Sequence, residues 1–284
     1  MTSDGPAGQH PHYPVLGTRV AALSTSHAAT EILSAAREGR PLQVHLCNSY
    51  TLSLAAHDPR LRTSLDEADL NLPDGAPVAW LGRRHGLRGP VRGLDLFRQT
   101  VDAGRASGTG HYLYGGAPGV AERMRARLER DYPGVRVTGC ESPPYRSLVG
   151  DDFDALARTV RSTCTDVLWI GIGTPKQDYA VSELAKRTDV PVVPIGAAFD
   201  FYSGVAREAP RWLRGTGFEW AFRLASEPRR LWRRYLVETP LFAFQALTDR
   251  TTTSPQPART AGPEDAGRSG VMPPGDEDPH EAPR

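Results

Sequence analysis

Cysteine is scarce in this chain of 284 residues: Cys47, Cys140 and Cys164 are odd in number, far apart and in no CxxC spacing. That usage fits a reduced, cytosolic compartment and argues against a structural zinc site. Long apolar runs are absent too, and none approaches the roughly 20 residues that a membrane-spanning helix needs. No charge of one sign dominates: the net charge is +1, so nothing pulls the whole chain toward nucleic acid. The opening stretch MTSDGPAGQHPHYP lacks a basic start followed by an apolar block. It reads as a disordered lead-in over residues 1–14 rather than a signal peptide. Neither GxGxxG with a following acid nor GxxxxGK[ST] occurs, which disfavours a nicotinamide or flavin site and a P-loop. Asp151-Asp152-Phe153-Asp154 stands at a helix start, where capping explains it better than metal coordination. No cofactor and no metal site is expected.

What is present is an alternation. Asp166 to Asp178 reads DVLWIGIGTPKQD: an apolar run, Val167 to Ile172, of the kind buried on both faces of a parallel sheet, then a glycine turn. Gly171 and Gly173 permit the turn, Thr174 is placed to cap a helix and Pro175 to occupy its first position, with Lys176, Gln177 and Asp178 following. Free N–H groups at such a helix start can hold a phosphate. A second glycine turn, Gly115-Gly116-Ala117-Pro118-Gly119, follows the apolar stretch His111 to Tyr114. Further strands are expected at Val15 to Val20, Leu42 to Cys47, Asp69 to Leu72, Val135 to Thr138 and Val190 to Gly196. The pattern predicts an α/β fold, a Rossmann-like, mostly parallel sheet with helices on both faces, with ligands bound beyond the carboxyl ends of the strands. Asn48 and Asp74 stand at two such ends, and Gly75 adjoins the aspartate. Asp74 is either a site carboxylate or the cap of a helix over residues 76–81.

Beyond residue 205 the composition changes. Eight arginines fall between Arg207 and Arg234, interleaved with Trp212, Phe218, Trp220, Phe222, Trp232 and Tyr235. Arginine with tryptophan on a helix suits a membrane surface, although a nucleic-acid patch or a surface helix packed on its own core has a similar composition. The domain reading is therefore a lead-in (1–14), an α/β domain (15–205), a basic aromatic helical appendage (206–248) and a disordered tail (249–284).

Taken in order, NSYT, DEADLNLPDGAPV, VRGLDLF, YLYGGAPGVAE, VLWIGIGTPKQD, IGAAFDFYSG and EAPRWLRGTGFEWAFRLASEPRRLWRRYL resemble the WecG/TagA/CpsF glycosyltransferases over roughly residues 15–244. The resemblance implies an inverting, metal-independent enzyme. It would move a sugar such as N-acetylmannosamine from a UDP donor to a polyprenyl-diphosphate-linked saccharide in cell-surface polysaccharide or teichoic-acid-type synthesis. It places the general base on Asp74 and substrate contacts on Asn48, Gly75, Arg92, Gly115, Gly116, Gly119, Gly173, Gln177, Arg207 and Arg223. Residues 207–235 would meet the inner face of the cell membrane, making the protein cytoplasmic and peripheral, with no nucleic-acid partner. Three positions depart from the family: Leu46 replaces a threonine, and Pro90 and Glu208 replace arginines, with Arg88, Arg92 and Arg207 nearby. These departures motivate an alternative, a catalytically impaired nucleotide-sugar-binding relative.

Overall fold

The structure, a computed structural model, describes residues 10–143, 146, 148–210, 213, 219–226, 228–233, 236 and 239–248. In chain order it runs β1 (His12–Val15), β2 (Thr18–Ala21), α1 (Thr25–Glu38), β3 (Leu42–Cys47), α2 (Ser49–Ala55), α3 (Pro59–Asp66) and β4 (Leu70–Pro73). There follow α4 (Ala76–Leu81), α5 (Gly93–Gly104), β5 (Gly110–Gly115), α6 (Val120–Asp131), β6 (Arg136–Glu141), α7 (Gly150–Ser162), β7 (Val167–Gly171), α8 (Lys176–Ala185), β8 (Pro191–Pro194) and α9 (Ala198–Ser203). Last come α10 (Glu219–Ser226), α11 (Pro228–Arg233) and α12 (Thr239–Thr248).

Six strands form one parallel sheet in the order β4-β3-β8-β7-β5-β6. Strands β3, β5 and β7 bury nearly every side chain, which is why β7 reads as an unbroken apolar run, while β3 and β5 bury Gln43, His45 and His111 among their apolar residues. Alternate residues feed opposite layers: Val167 and Trp169 join a core with α1, α5, α6 and α9, whereas Leu168 and Ile170 join one with α7 and α8. A third cluster under α2, α3 and α4 closes the side nearest β4. The chain crosses from β4 at one edge to β5 near the other, so the winding of the sheet reverses beside β3, β8 and β7, and their carboxyl ends are where ligands of such sheets bind.

Two expectations need correcting. Val15 to Val20 is not one edge strand but a hairpin, because Leu16 and Gly17 take positive φ values of 48° and 77° and reverse the chain. Arg62 secures that turn, donating from Nη2 to the Leu16 carbonyl at 2.7 Å. The hairpin also draws in part of the supposed lead-in, since Tyr13 is buried and donates from its hydroxyl to the Val78 carbonyl. Likewise the carboxyl segment is not wholly an appendage. Its α12 packs against α2 and places Phe242 among Cys47, Leu52, Val78 and Ala79.

Inside the sheet, His111 is fully buried and accepts at Nδ1 from the Trp169 indole at 3.2 Å. Burial, then the charge of Arg136, depress its pKa to about 4, while Asp166 opposes the shift. A depressed histidine pKa means that the unfolded chain binds the proton more readily, so stability is full above about pH 6.5 and falls as pH drops toward 4. His111→Gln, which cannot take up that proton, is expected to flatten this part of the decline. Urea midpoints measured from pH 7 to 4 in both proteins check it, and parallel curves would contradict it.

Candidate functional site

Asn48 ends β3 and caps α2. Its Oδ1 accepts from the Thr51 amide at 3.1 Å and the Thr51 hydroxyl at 3.3 Å, and its Nδ2 donates to Asp74 Oδ2 at 3.4 Å. The neighbouring strand β4 delivers Asp74, whose amide donates to the Cys47 carbonyl at 3.0 Å. Gly75, at φ 86°, occupies the N-cap of α4. The Asp74 carboxylate, just before it, is met at the strand end by the Asn48 side-chain amide. Across the turn, the Val91 amide donates to the Pro73 carbonyl at 2.7 Å, which brings Arg92 beside Asp74 in the backbone.

The start of α5 then enters over the ends of β3 and β8. A Cβ on Gly93 would lie 2.9 Å from Leu46 Cδ1 and 3.3 Å from the Ile195 carbonyl oxygen, so only glycine fits this approach. Leu46 is a buried core side chain under that helix, not a group facing the crevice. Arg92 pairs with Asp95 at 3.0 Å and with Glu208 at 3.3 Å. Glu208 reaches Arg98 as well, at 3.5 Å.

The glycine turns serve a different end from the one their composition suggested. The Gly116 amide donates to the Gly171 carbonyl at 2.9 Å, and a Cβ on Gly115 would stand 2.6 Å from Gly171 Cα. These glycines let β5 and β7 touch at their ends, and the Gly116 amide is not open to a phosphate. At β7 the Gly173 amide is taken by Gln177 Oε1 at 3.2 Å, while Gln177 Nε2 donates to the Thr174 hydroxyl. Pro175, after a cis bond, is the N-cap of α8 rather than its first residue, and Thr174 does not cap it. The amides of Gln177, Asp178 and Tyr179 donate to the Gly173 and Pro175 carbonyls. The expected open cradle of N–H groups is thus largely closed by local bonds. Gln177 lies against Gly196 at the end of β8 and ties the two strand ends together. Gly119, at φ 82°, begins α6 on the far side of this turn.

Beneath the crevice runs a buried polar seam not foreseen from the sequence. His45 Nδ1 meets Asp178 Oδ1 at 3.1 Å, Gln43 Nε2 meets His45 Nε2 at 3.1 Å, and Gln43 also donates to Ser182 Oγ. Gln43 and His45, two apart on a strand, and Asp178 and Ser182, four apart on a helix, are each spaced to share a face, but nothing local in the sequence pairs that strand with that helix. Cys47, just above, is buried, and burial, then the carboxylates of Asp178 and Asp74, push its thiol well above the ordinary range.

Of the residues singled out by sequence, Asn48, Asp74, Gly75 and Arg92 come together, and Gly115, Gly116, Gly173 and Gln177 line the adjoining strand ends. Arg207 is exposed beside Glu208, and Arg223 lies over the Phe201 ring at 5.2 Å on the flank of α9. Arg211, Trp212, Arg214, Phe218, Arg234 and Tyr235 lie outside the described residues, as does the tail from 249. Asp152 does cap, accepting from the Val149 amide at 2.9 Å and pairing with Arg146. Among the described residues no group of three or more His, Cys, Asp or Glu is placed to hold a metal ion, and no helix is long and apolar enough to cross a membrane.

A doubly wound parallel sheet with helices on both faces defines the fold, a Rossmann-like α/β architecture. The model of the glycosyl transferase WecG/TagA/CpsF family matches residues 13–256, and the chain belongs to that family of glycosyltransferases. Two relatives share the printed name N-acetylglucosaminyldiphosphoundecaprenol N-acetyl-beta-D-mannosaminyltransferase. That of Bacillus spizizenii is 29% identical over 185 residues, covering 64% of this chain and 70% of the relative. That of Bacillus subtilis strain 168 is 24% identical over 201 residues, covering 69% and 76%.

Proposed function

We propose that this glycosyltransferase moves an N-acetylmannosamine-like sugar from a UDP donor to a polyprenyl-diphosphate-linked saccharide by a direct inverting displacement. The names of its relatives support the acceptor class and the sugar. The observation that carries the chemistry is Asp74: a carboxylate at a strand end, met there by the Asn48 side-chain amide. Such a group can take the proton of an attacking hydroxyl, typically for about 10²- to 10⁴-fold in rate. The departing diphosphate needs stabilisation as its charge grows. With the Gly116 and Gly173 amides occupied, the reading gives that work to guanidinium groups, Arg92 first among them, rather than to a bound metal. Purified protein given UDP-N-acetylmannosamine and a polyprenyl-diphosphate-linked N-acetylglucosamine is expected to release UDP and form an inverted linkage. UDP release that does not depend on the lipid acceptor, or a retained anomer, would contradict the proposal.

A lipid-linked acceptor calls for a surface that meets the membrane. In α10 and α11, Trp220 and Trp232 are partly exposed among arginines, the arrangement that seats indole rings at lipid headgroups. The reading makes the protein peripheral on the inner face of the cell membrane. Truncation after residue 204 is a poor test, since it strips Phe242 from the core. A double variant, Trp220→Ala with Trp232→Ala, is instead expected to sediment with anionic vesicles about tenfold more weakly. Unchanged sedimentation would remove these helices from the contact.

A further inference from the structure

We infer that Arg92 and Arg98 form a diphosphate-receiving subsite, and that the Glu208 carboxylate is its internal occupant in the ligand-free chain. The inference deepens the glycosyl-transfer reading and rests on it for the identity of the ligand, but not for the site. Arg92 stands just before α5 and Arg98 on its second turn, and both guanidiniums reach the Glu208 carboxylate. Glu208 arrives from more than 100 residues later in the chain and divides its two oxygens between them, Oε1 to Arg92 at 3.3 Å and Oε2 to Arg98 at 3.5 Å.

Both contacts are longer than the 2.7–2.9 Å typical of a charge-assisted hydrogen bond. A diphosphate carries its oxygens on two phosphorus centres, set further apart, and brings more charge. In the ligand-free chain Arg92 meets Asp95 and Glu208, and Arg98 meets Glu208. Glu208 is only 12% exposed at its side chain, so its charge is partly shielded from water and its exchange for an incoming anion matters. The cluster also adjoins the proposed base, because the Val91 amide bonded to Pro73 ties Arg92 to the turn that carries Asp74.

Glu208 belongs to a short strap leaving α9. The Ala206 amide donates to the Asp200 carbonyl at 3.0 Å, and Ala209 is buried just beyond. A diphosphate that takes over the two arginines releases this strap, and with it the approach to the arginine-rich helices. Glu208 is therefore a competitor for the substrate's charge at a position where the family resemblance has an arginine. A plain ion pair that merely fastens the carboxyl segment would show the same distances but the opposite response to neutralisation.

Calorimetric titration of full-length wild type and Glu208→Gln separates the two. The probes are inorganic pyrophosphate, UDP and farnesyl diphosphate at low salt. The subsite predicts that Glu208→Gln binds pyrophosphate about three- to tenfold more tightly, with the gain shrinking as salt screens it. Adding Arg98→Ala to that variant is expected to cancel the gain. A larger gain for UDP assigns the subsite to the donor, and a larger one for farnesyl diphosphate to the lipid acceptor; either supports it. Pyrophosphate binding that is unchanged or weaker in Glu208→Gln, or indifferent to Arg98→Ala, overturns the subsite even in an active enzyme. Tighter pyrophosphate binding with no binding of UDP by either protein would keep the subsite and remove the UDP donor from the proposed reaction.

Discussion

Asp74→Asn lowers turnover by at least about 10²-fold while leaving UDP affinity within about threefold of wild type. The asparagine keeps the size and planarity of the side chain and so preserves the packing of the turn, but it cannot accept a proton from the acceptor hydroxyl. Because the base works only as the hydroxyl attacks, its loss is felt in the rate and not in ground-state binding. Asn48 supports this role from the adjoining strand: its Oδ1 is engaged by Thr51, which leaves Nδ2 directed at Asp74. Steady-state kinetics with UDP-N-acetylmannosamine and a lipid-linked acceptor, together with UDP titration, measure both quantities. Turnover within threefold of wild type would exclude Asp74 as the base. A wild-type protein that binds UDP but transfers no sugar would instead mark the non-catalytic relative to which Leu46 and Pro90 pointed.

The second large effect concerns the carboxyl segment. Phe242→Ala is expected to destabilise the fold by about 3–5 kcal/mol, the usual range for emptying a phenylalanine site in a core. Phe242 is 2% exposed and packs among Leu52, Val78, Ala79 and Cys47, side chains that also support the start of the Asn48 helix and the Asp74 turn. Two residues on, Phe244 is 66% exposed, and Phe244→Ala is expected to change stability by no more than about 0.5 kcal/mol. Chemical denaturation of both variants makes the comparison. Equal, small effects would mean that α12 is a loose appendage, as its place in a basic, aromatic stretch had suggested.

The sheet was legible in the sequence because parallel strands buried on both faces must be continuous apolar runs. Val167 to Gly171 is such a run, ended by a glycine turn, whereas Leu42 to Cys47 keeps Gln43 and His45 among its apolar residues by hydrogen-bonding them to Ser182 and Asp178. The place of Asp74 just after a strand was legible because Pro73-Asp74-Gly75 is a turn by composition. Which amides stay open was not legible. The Gly116 and Gly173 amides are closed by the Gly171 carbonyl and the Gln177 side chain, and those partners are chosen by the folded arrangement. The hairpin was missed because Leu16, a residue that rarely adopts positive φ, takes it here under the clamp of Arg62. Contacts between distant segments were hidden for the plainest reason. Glu208 and Arg92 are 116 residues apart, and His45 and Asp178 are 133 apart, so no local pattern signals either pair.

Crystals of the full chain soaked with UDP test the central claim most directly. The account predicts the diphosphate against Arg92, with the end that would carry the sugar directed at Asp74 and Asn48. A nucleotide bound away from these residues, or an Asp74 carboxylate turned to cap α4, would contradict it.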